Sequence, residues 1–277
     1  MPEPQTKLRL LIIDPQRDFC DGPCAGSLPV PGADADMVRL AALVDRLAGR
    51  IDGIQVTLDS HQLYHVANPV WWVGEDGNPP APFTLISVAD VESGRWRARN
   101  PEAQEHARVY VGELARKGNY PLTIWPPHCL IGTPGHAVHP ELMAALLRWA
   151  GRAASPISFV TKGGSPGTEH YSAFRAEVED PHDPATQANP EMLRFIEDAD
   201  LVAIAGEAKS HCVRATVTDL ADALAPEHLR KLLFLDDCSS PVPAFPGGPD
   251  FPALGAQFVR DLAARGMQVI NSPELMV

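Results

Sequence analysis

The amino-acid sequence predicts an α/β protein, a three-layer α/β/α arrangement around a six-stranded parallel sheet. Apolar runs of strand length recur at 7–13, 51–58, 156–161, 201–205, 232–236 and 267–271, and Leu201–Ala205 is apolar throughout, as in strands buried on both faces. Segments with helical spacing separate these runs, the rhythm of parallel strands joined by helical crossovers. Asp14, Asp59, Lys162 and the turn before Cys212 all stand at carboxyl ends of predicted strands. Open α/β sheets bind their ligands at that rim.

Lys7–Ile13 is the first buried strand and ends at Asp14. After a Pro31-Gly32 turn, Met37, Leu40, Ala41, Val44 and Leu47 predict a helix over 33–48. Ile51–Leu58 forms the second strand. Residues 62–124 then break the rhythm, with Trp71-Trp72, a Gly/Pro-rich turn at 74–82, a strand expected at Phe83–Val88, and a helix over 101–117 capped by Asn100 with Pro101 at its first position. Regular alternation resumes with a helix at 139–150, a strand at 156–161 and a helix at 190–199 that starts from Asn189-Pro190. The strand 201–205 leads into a helix beginning at Cys212, in which Val213, Thr216, Val217, Leu220 and Leu224 share one face. A strand at 232–236, a helix at 252–265 and a strand at 267–271 complete one domain, 1–277, without internal repeats.

Composition narrows the possible functions. The formal net charge is −12 and no Lys/Arg-rich run offsets it, which excludes nucleic acid as the expected partner. No apolar run approaches the roughly 20 residues that a membrane span needs. The first residues carry no apolar signal region, so the expected location is cytoplasmic. Cys20, Cys24, Cys129, Cys212 and Cys238 are odd in number and scattered, which argues against a disulfide framework. Cys20-Asp-Gly-Pro-Cys24 reads as two reduced loop cysteines. Proline, 28 of 277 residues, is about twice its average usage and clusters at 69–134, 181–190 and 241–252, loops suited to shaping a substrate pocket.

Two constellations carry chemistry. Cys212, at a strand–turn–helix junction, stands where free N–H groups and the helix dipole favour a thiolate, with Lys209 and His211 adding nearby positive charge. The alternative is a small buried hydrophobe. Asp14 supplies a carboxylate that takes the thiol proton and returns it to a leaving amine, and Lys162 a cation for both; otherwise the two form a structural ion pair. Asp59 and His61, two residues apart at a strand end, point the same way and, with His128, form a donor set for zinc, iron or manganese. His65 is either a further ligand or a loop histidine. Gly163-Gly-Ser165-Pro-Gly167 fits G-x-S-x-G, but Pro166 lacks the N–H that a nucleophile elbow needs for its oxyanion hole.

Taken together, Leu11-Ile-Ile-Asp14-Pro-Gln16-Arg-Asp18-Phe19, Ser27–Gly32, Thr57-Leu-Asp59-Ser-His61, Trp125-Pro-Pro-His128 through Gly135, Lys162-Gly163, Glu169 with Tyr171-Ser-Ala-Phe174, and Gly206–Arg214 resemble the isochorismatase-like cysteine hydrolases, specifically their nicotinamidase branch. The resemblance implies the isochorismatase-like hydrolase fold and a metal-dependent amidase that converts nicotinamide to nicotinic acid and ammonia through a thioester on Cys212. It implies an oxyanion hole from the N–H groups of Ala208 and Cys212 after a cis Glu207–Ala208 peptide. Phe19 and Trp125 would sandwich the ring, and Asp59, His61, His128 and, as a fourth candidate, His65 would hold a divalent metal, zinc before iron or manganese. A small-molecule amide and further copies of the chain are the expected partners.

The departures bear on substrate. Ser60 and Gln62 stand where these enzymes usually have Trp and Pro, and Glu207, Lys209, Ser210 and His211 replace the usual hydrophobic, Thr, Asp and Tyr residues. Residues 62–124 form an insertion, expected to cap the pocket or make an oligomer contact. The competing functions are an amidase for another small amide or N-carbamoyl compound, whose relatives generally lack metal ligands, and a catalytically silent binding protein.

Overall fold

The structure, a computed structural model, describes residues 6–23, 25–245 and 247–276. In chain order its elements are β1 (Leu8–Ile13), α1 (Ala33–Arg46), β2 (Ile51–Asp59), β3 (Trp72–Gly74), β4 (Leu85–Ile86), α2 (Val88–Glu92), β5 (Trp96–Ala98), α3 (Gln104–Lys117), β6 (Leu122–Thr123), α4 (Pro140–Ala153), β7 (Ser158–Lys162), α5 (Pro190–Glu197), β8 (Leu201–Gly206), α6 (Arg214–Ala223), β9 (Leu232–Leu235), α7 (Phe251–Ala264) and β10 (Gln268–Ile270).

Leu8, Leu10 and Ile12 of β1 pack with α1 and α4, while Leu11 and Ile13 pack with α5, α6 and α7. A one-residue slip would exchange these two sets, so burial of both faces fixes the register. The six long strands form the expected parallel sheet, in the order β10-β9-β8-β1-β2-β7. From β1 the chain runs outward to β2 and β7, crosses back to β8, and runs outward the other way. The reversal therefore lies beside β1, and the register sets Ile13 opposite Gly206 and Asp59 opposite Lys162. That pairing brings the polar strand ends to one rim. Gly206 is obligatory here: its φ is 122°, and a Cβ would collide with the Ile13 carbonyl.

Residues 62–124 fold against the main body. β3 pairs with β5 and β4 with β6, both antiparallel. Trp71, Trp72, Tyr110 and Leu114 share one core with Phe19, Trp125, Ala208, Val242 and Phe251, so the insertion packs on the aromatic side of the rim. The strand expected at Phe83–Val88 shrinks to Leu85–Ile86. Phe83 has a φ of 68°, and Ser87 begins α2 through a reciprocal cap with Asp90, which ends the extended run on both sides. Asn100 does cap the expected helix, whose first turn is 3-10. Among the described residues no helix is long and apolar enough to cross a membrane. Cys20, Cys129, Cys212 and Cys238 are free and buried; Cys24 lies outside the described residues.

Candidate active site

Asp14 follows β1 with a φ of 44°, a left-handed conformation that Asp tolerates better than most residues. Its position is fixed from β2. The Asp14 N–H donates to Thr57 Oγ1 (3.0 Å), and the Thr57 hydroxyl donates to Asp14 Oδ1 (2.5 Å). Gln16 clasps the end of β2, accepting the Asp59 N–H and donating to the Asp59 carbonyl, both at 2.7 Å.

Lys162 ends β7 and is 5% exposed. Its Nζ lies 2.8 Å from Asp14 Oδ2, 3.0 Å from Asp59 Oδ1 and 3.4 Å from Cys212 Sγ, and it donates to the His170 carbonyl at 2.8 Å. Burial alone would lower its pKa, but the Asp14 and Asp59 carboxylates outweigh burial and hold it well above the usual lysine value. One permanent ammonium thus touches the thiol, the carboxylate beside it and the first carboxylate of the second constellation.

Cys212 differs from expectation in two respects. It lies in a single π-helical turn, Lys209–Val213, and the α-helix begins only at Arg214. The residues expected to charge its surroundings do not do so. Lys209 reaches 2.9 Å to Asp236 instead, and burial, followed by the Arg214 charge, pushes His211 down to about 3, leaving it neutral. Burial likewise pushes the Cys212 thiol well above its usual pKa, against the pull of Lys162. Dehydration outweighs the helix-end field, so the group at rest is a thiol that needs a base. Burial also raises Asp14, against Lys162, which suits it to accept a proton.

Asp59, His61 and His128 bring their donor atoms within 4.8 Å of one another, all buried. Asp59 Oδ2 is 2.9 Å from His61 Nε2 and 3.3 Å from His128 Nε2. Tetrahedral bonds of about 2.0–2.1 Å put ligand atoms about 3.4 Å apart, so the trio fits a zinc-sized ion. His128 Nδ1 lies 2.8 Å from the Pro126 carbonyl, the outer contact that fixes the tautomer with Nε2 free to ligate. The cradle admits no side chain at Gly163 (φ 80°), where a Cβ would sit 2.9 Å from Asp59 Oδ1. Burial opposes ionisation of Asp59, but His61 and Lys162 hold it well below the usual carboxylate range. His65 Nδ1 accepts the Ala67 N–H (3.2 Å) and its Nε2 faces the Thr168 carbonyl (3.1 Å), while its ring lies 4.5 Å from that of His61. His61, His65 and Glu169 form a second buried group whose donor atoms lie within 4.8 Å of one another. Glu169, quoted from the sequence without a role, approaches His61 Nε2 at 3.8 Å.

Phe19 and Trp125 are both buried in one aromatic cluster. Phe19 lies against His128 (ring centroids 5.5 Å), and Trp125 lies against His211 (5.4 Å) and donates to Tyr171 Oη (3.1 Å). The Glu207–Ala208 peptide is cis, and the buried Ala208 N–H donates to no acceptor among the described residues. Sequence reading gave no roles to Thr57, Gln16 or Tyr171. Their signal was membership of the matching segments, and their partners appear only once strands distant in sequence are brought together.

No family model matches the chain. It is 26% identical to the nicotinamidase of Escherichia coli (strain K12) over 213 residues, 76% of this chain and 74% of that protein. It is 27% identical to the nicotinamidase/pyrazinamidase of Mycobacterium tuberculosis (strain ATCC 25618 / H37Rv) over 212 residues, 76% of each. Among solved structures, the yeast nicotinamidase bound to the inhibitor nicotinaldehyde superposes with a TM-score of 0.64 at 22% identity, covering 95% of this chain and 99% of that one. Pyrazinamidase of Pyrococcus horikoshii in complex with zinc gives 0.52 at 19% identity, covering 97% and 99%. An isochorismatase-like hydrolase from Alkaliphilus metalliredigens gives 0.50 at 17% identity, covering 97% of each chain. The chain has the isochorismatase-like hydrolase fold, and the resemblance to the nicotinamidase branch that its motifs carry is shared by its curated relatives.

Proposed function

We propose that the protein is a cysteine amidohydrolase acting on nicotinamide or a closely related heteroaromatic amide. The observation that carries this reading is the Lys162 ammonium, in contact at once with Cys212 Sγ, Asp14 and Asp59. Both curated relatives are nicotinamidases, which favours a carboxamide over an N-carbamoyl substrate.

In the proposed reaction Asp14 takes the proton of Cys212 as the sulfur attacks the carboxamide carbon. The negative oxygen is received by the N–H groups of Ala208 and Cys212, a stabilisation worth about 2.7–4 kcal/mol per donor in comparable sites. Asp14 then returns the proton to the amine, ammonia leaves, and a thioester to Cys212 remains. Water, deprotonated by Asp14, hydrolyses it and regenerates the thiol. Lys162 helps keep Asp59 charged in a dry site and opposes the effect of burial on Asp14, and Phe19 and Trp125 flank the ring. Asp59, His61 and His128 would hold a divalent ion, zinc before iron or manganese, which when bound supplies a Lewis acid for a pyridine nitrogen or a water.

The test is ammonia release from a panel of small amides before and after treatment with a chelator. Nicotinamide turnover that falls on chelation and returns with zinc is expected. Turnover of N-carbamoyl compounds with none of nicotinamide would overturn the substrate, and turnover insensitive to chelation would overturn the metal.

A further inference from the structure

Glu207 follows β8 and precedes Ala208, and it is completely buried. Its Oε2 accepts the Ser240 N–H at 3.2 Å, while Oε1 has no hydrogen-bond partner. The same Ser240 donates its hydroxyl to the buried carboxyl of Asp36, on α1, at 2.6 Å, so one serine joins the two carboxyls. Of the cations around the pair, Arg39 is on Asp36, and Lys209 is turned away from it, its Nζ 2.9 Å from Asp236. Two buried carboxyls joined by one serine and served by one guanidinium, which sits on Asp36, repel each other when both are ionised, and a proton on Glu207 relieves that repulsion.

The position of this acid gives the proton a purpose. Ser240 N–H to Glu207 Oε2, Lys209 N–H to the Ser240 carbonyl (2.8 Å) and Val242 N–H to Ser210 Oγ (3.1 Å) fasten residues 207–210 to the segment 240–242. The Glu207 N–H also donates to the Ile13 carbonyl at 2.8 Å. The residue whose peptide carries the free Ala208 N–H is therefore anchored by backbone on β1 and by side chain on Ser240 and α1.

We propose that Glu207 is a positioning residue for the oxyanion site, held as the neutral acid, donating a hydrogen bond to Asp36 and so fixing the direction of the Ala208 N–H. Burial, followed by the charge of Asp36, pushes its carboxyl well above the usual carboxylate range, in keeping with this state. The positioning part rests on the amidase reading; the protonation part stands without it.

Infrared difference spectra of wild type against E207Q at neutral pH, with kcat and KM for wild type, E207Q and E207A, provide the test. A protonated-carboxyl band present only in wild type is expected. E207A lowers kcat at least about tenfold with KM little changed, part of the roughly 10²–10³ that a lost oxyanion donor costs. E207Q, whose amide N–H serves Asp36 and whose oxygen serves Ser240, restores most of that loss. Absence of the band overturns the proposal, as does E207A with undiminished kcat or E207Q as poor as E207A. If E207A does not fold, the band and E207Q decide. If wild type turns over no amide, the function reading fails while the infrared comparison still decides the state of Glu207.

Discussion

A buried lysine tends to lose its charge, and Lys162 keeps its own because Asp14 and Asp59 flank it at 2.8 and 3.0 Å. The same arrangement makes the two carboxylates depend on it. Replacing Lys162 by Met leaves them buried without a cation, and breaking such a pair costs about 3–5 kcal/mol. K162M should therefore lose that much stability in denaturant titrations as well as its turnover; a variant as stable as wild type would mean that the ammonium does not bind the two constellations together. Asp14, Asp59 and Lys162 were legible in the sequence because each is a polar residue terminating an apolar run, and Cys212 because it stands at a strand–turn–helix junction. The state of Cys212 was not. The helix end and the charges of Lys209 and His211 pointed to a thiolate, whereas burial, visible only in the fold, keeps the proton on sulfur.

At the scale of elements, the inner strands β1, β2, β8 and β9 were readable because burial on both faces writes itself as continuous apolar runs, whereas the edge strands β7 and β10 are largely exposed and showed only short apolar runs. Within 62–124 the helix ending at Lys117 was readable, and of the strand expected at Phe83–Val88 the part Leu85–Ile86. α2 spans Val88–Glu92 and β3 spans Trp72–Gly74, too short to show a period, and β3 owes its order to pairing with β5 across the loop. The insertion does more than cover the body. Tyr110, on α3, accepts the Glu169 N–H at 3.1 Å, supporting the loop that carries Glu169 toward His61. Tyr110→Phe leaves a buried N–H without an acceptor, at a cost of about 1–3 kcal/mol. A fall in Tm of a few degrees is expected in a thermal scan, and an unchanged Tm would remove α3 from the support of that loop.

For the whole molecule, pH tests how the insertion is joined to the body. Glu177 accepts the Asn119 side-chain N–H at 2.7 Å. Burial, with the charges of Glu169 and Asp219, pushes its pKa from 4.5 up to about 7. The fold therefore prefers its neutral form. Its contribution to stability is complete below pH 4.5 and is lost as pH rises through about 7. The Tm advantage of wild type over Glu177→Gln should shrink across that interval, since Gln cannot ionise; a difference independent of pH would contradict the assignment.

The central claim is that one buried sulfur, given a base by β1 and a cation by β7, forms a thioester with an amide substrate. Rapid quenching during nicotinamide turnover, followed by mass spectrometry of the peptide containing residue 212, tests it most directly. The expected result is a nicotinoyl group on Cys212 at early times, ammonia released ahead of nicotinate, and neither adduct nor ammonia from a folded Cys212→Ala. Ammonia released by Cys212→Ala at the wild-type rate, with no adduct on the wild-type peptide, would contradict the account.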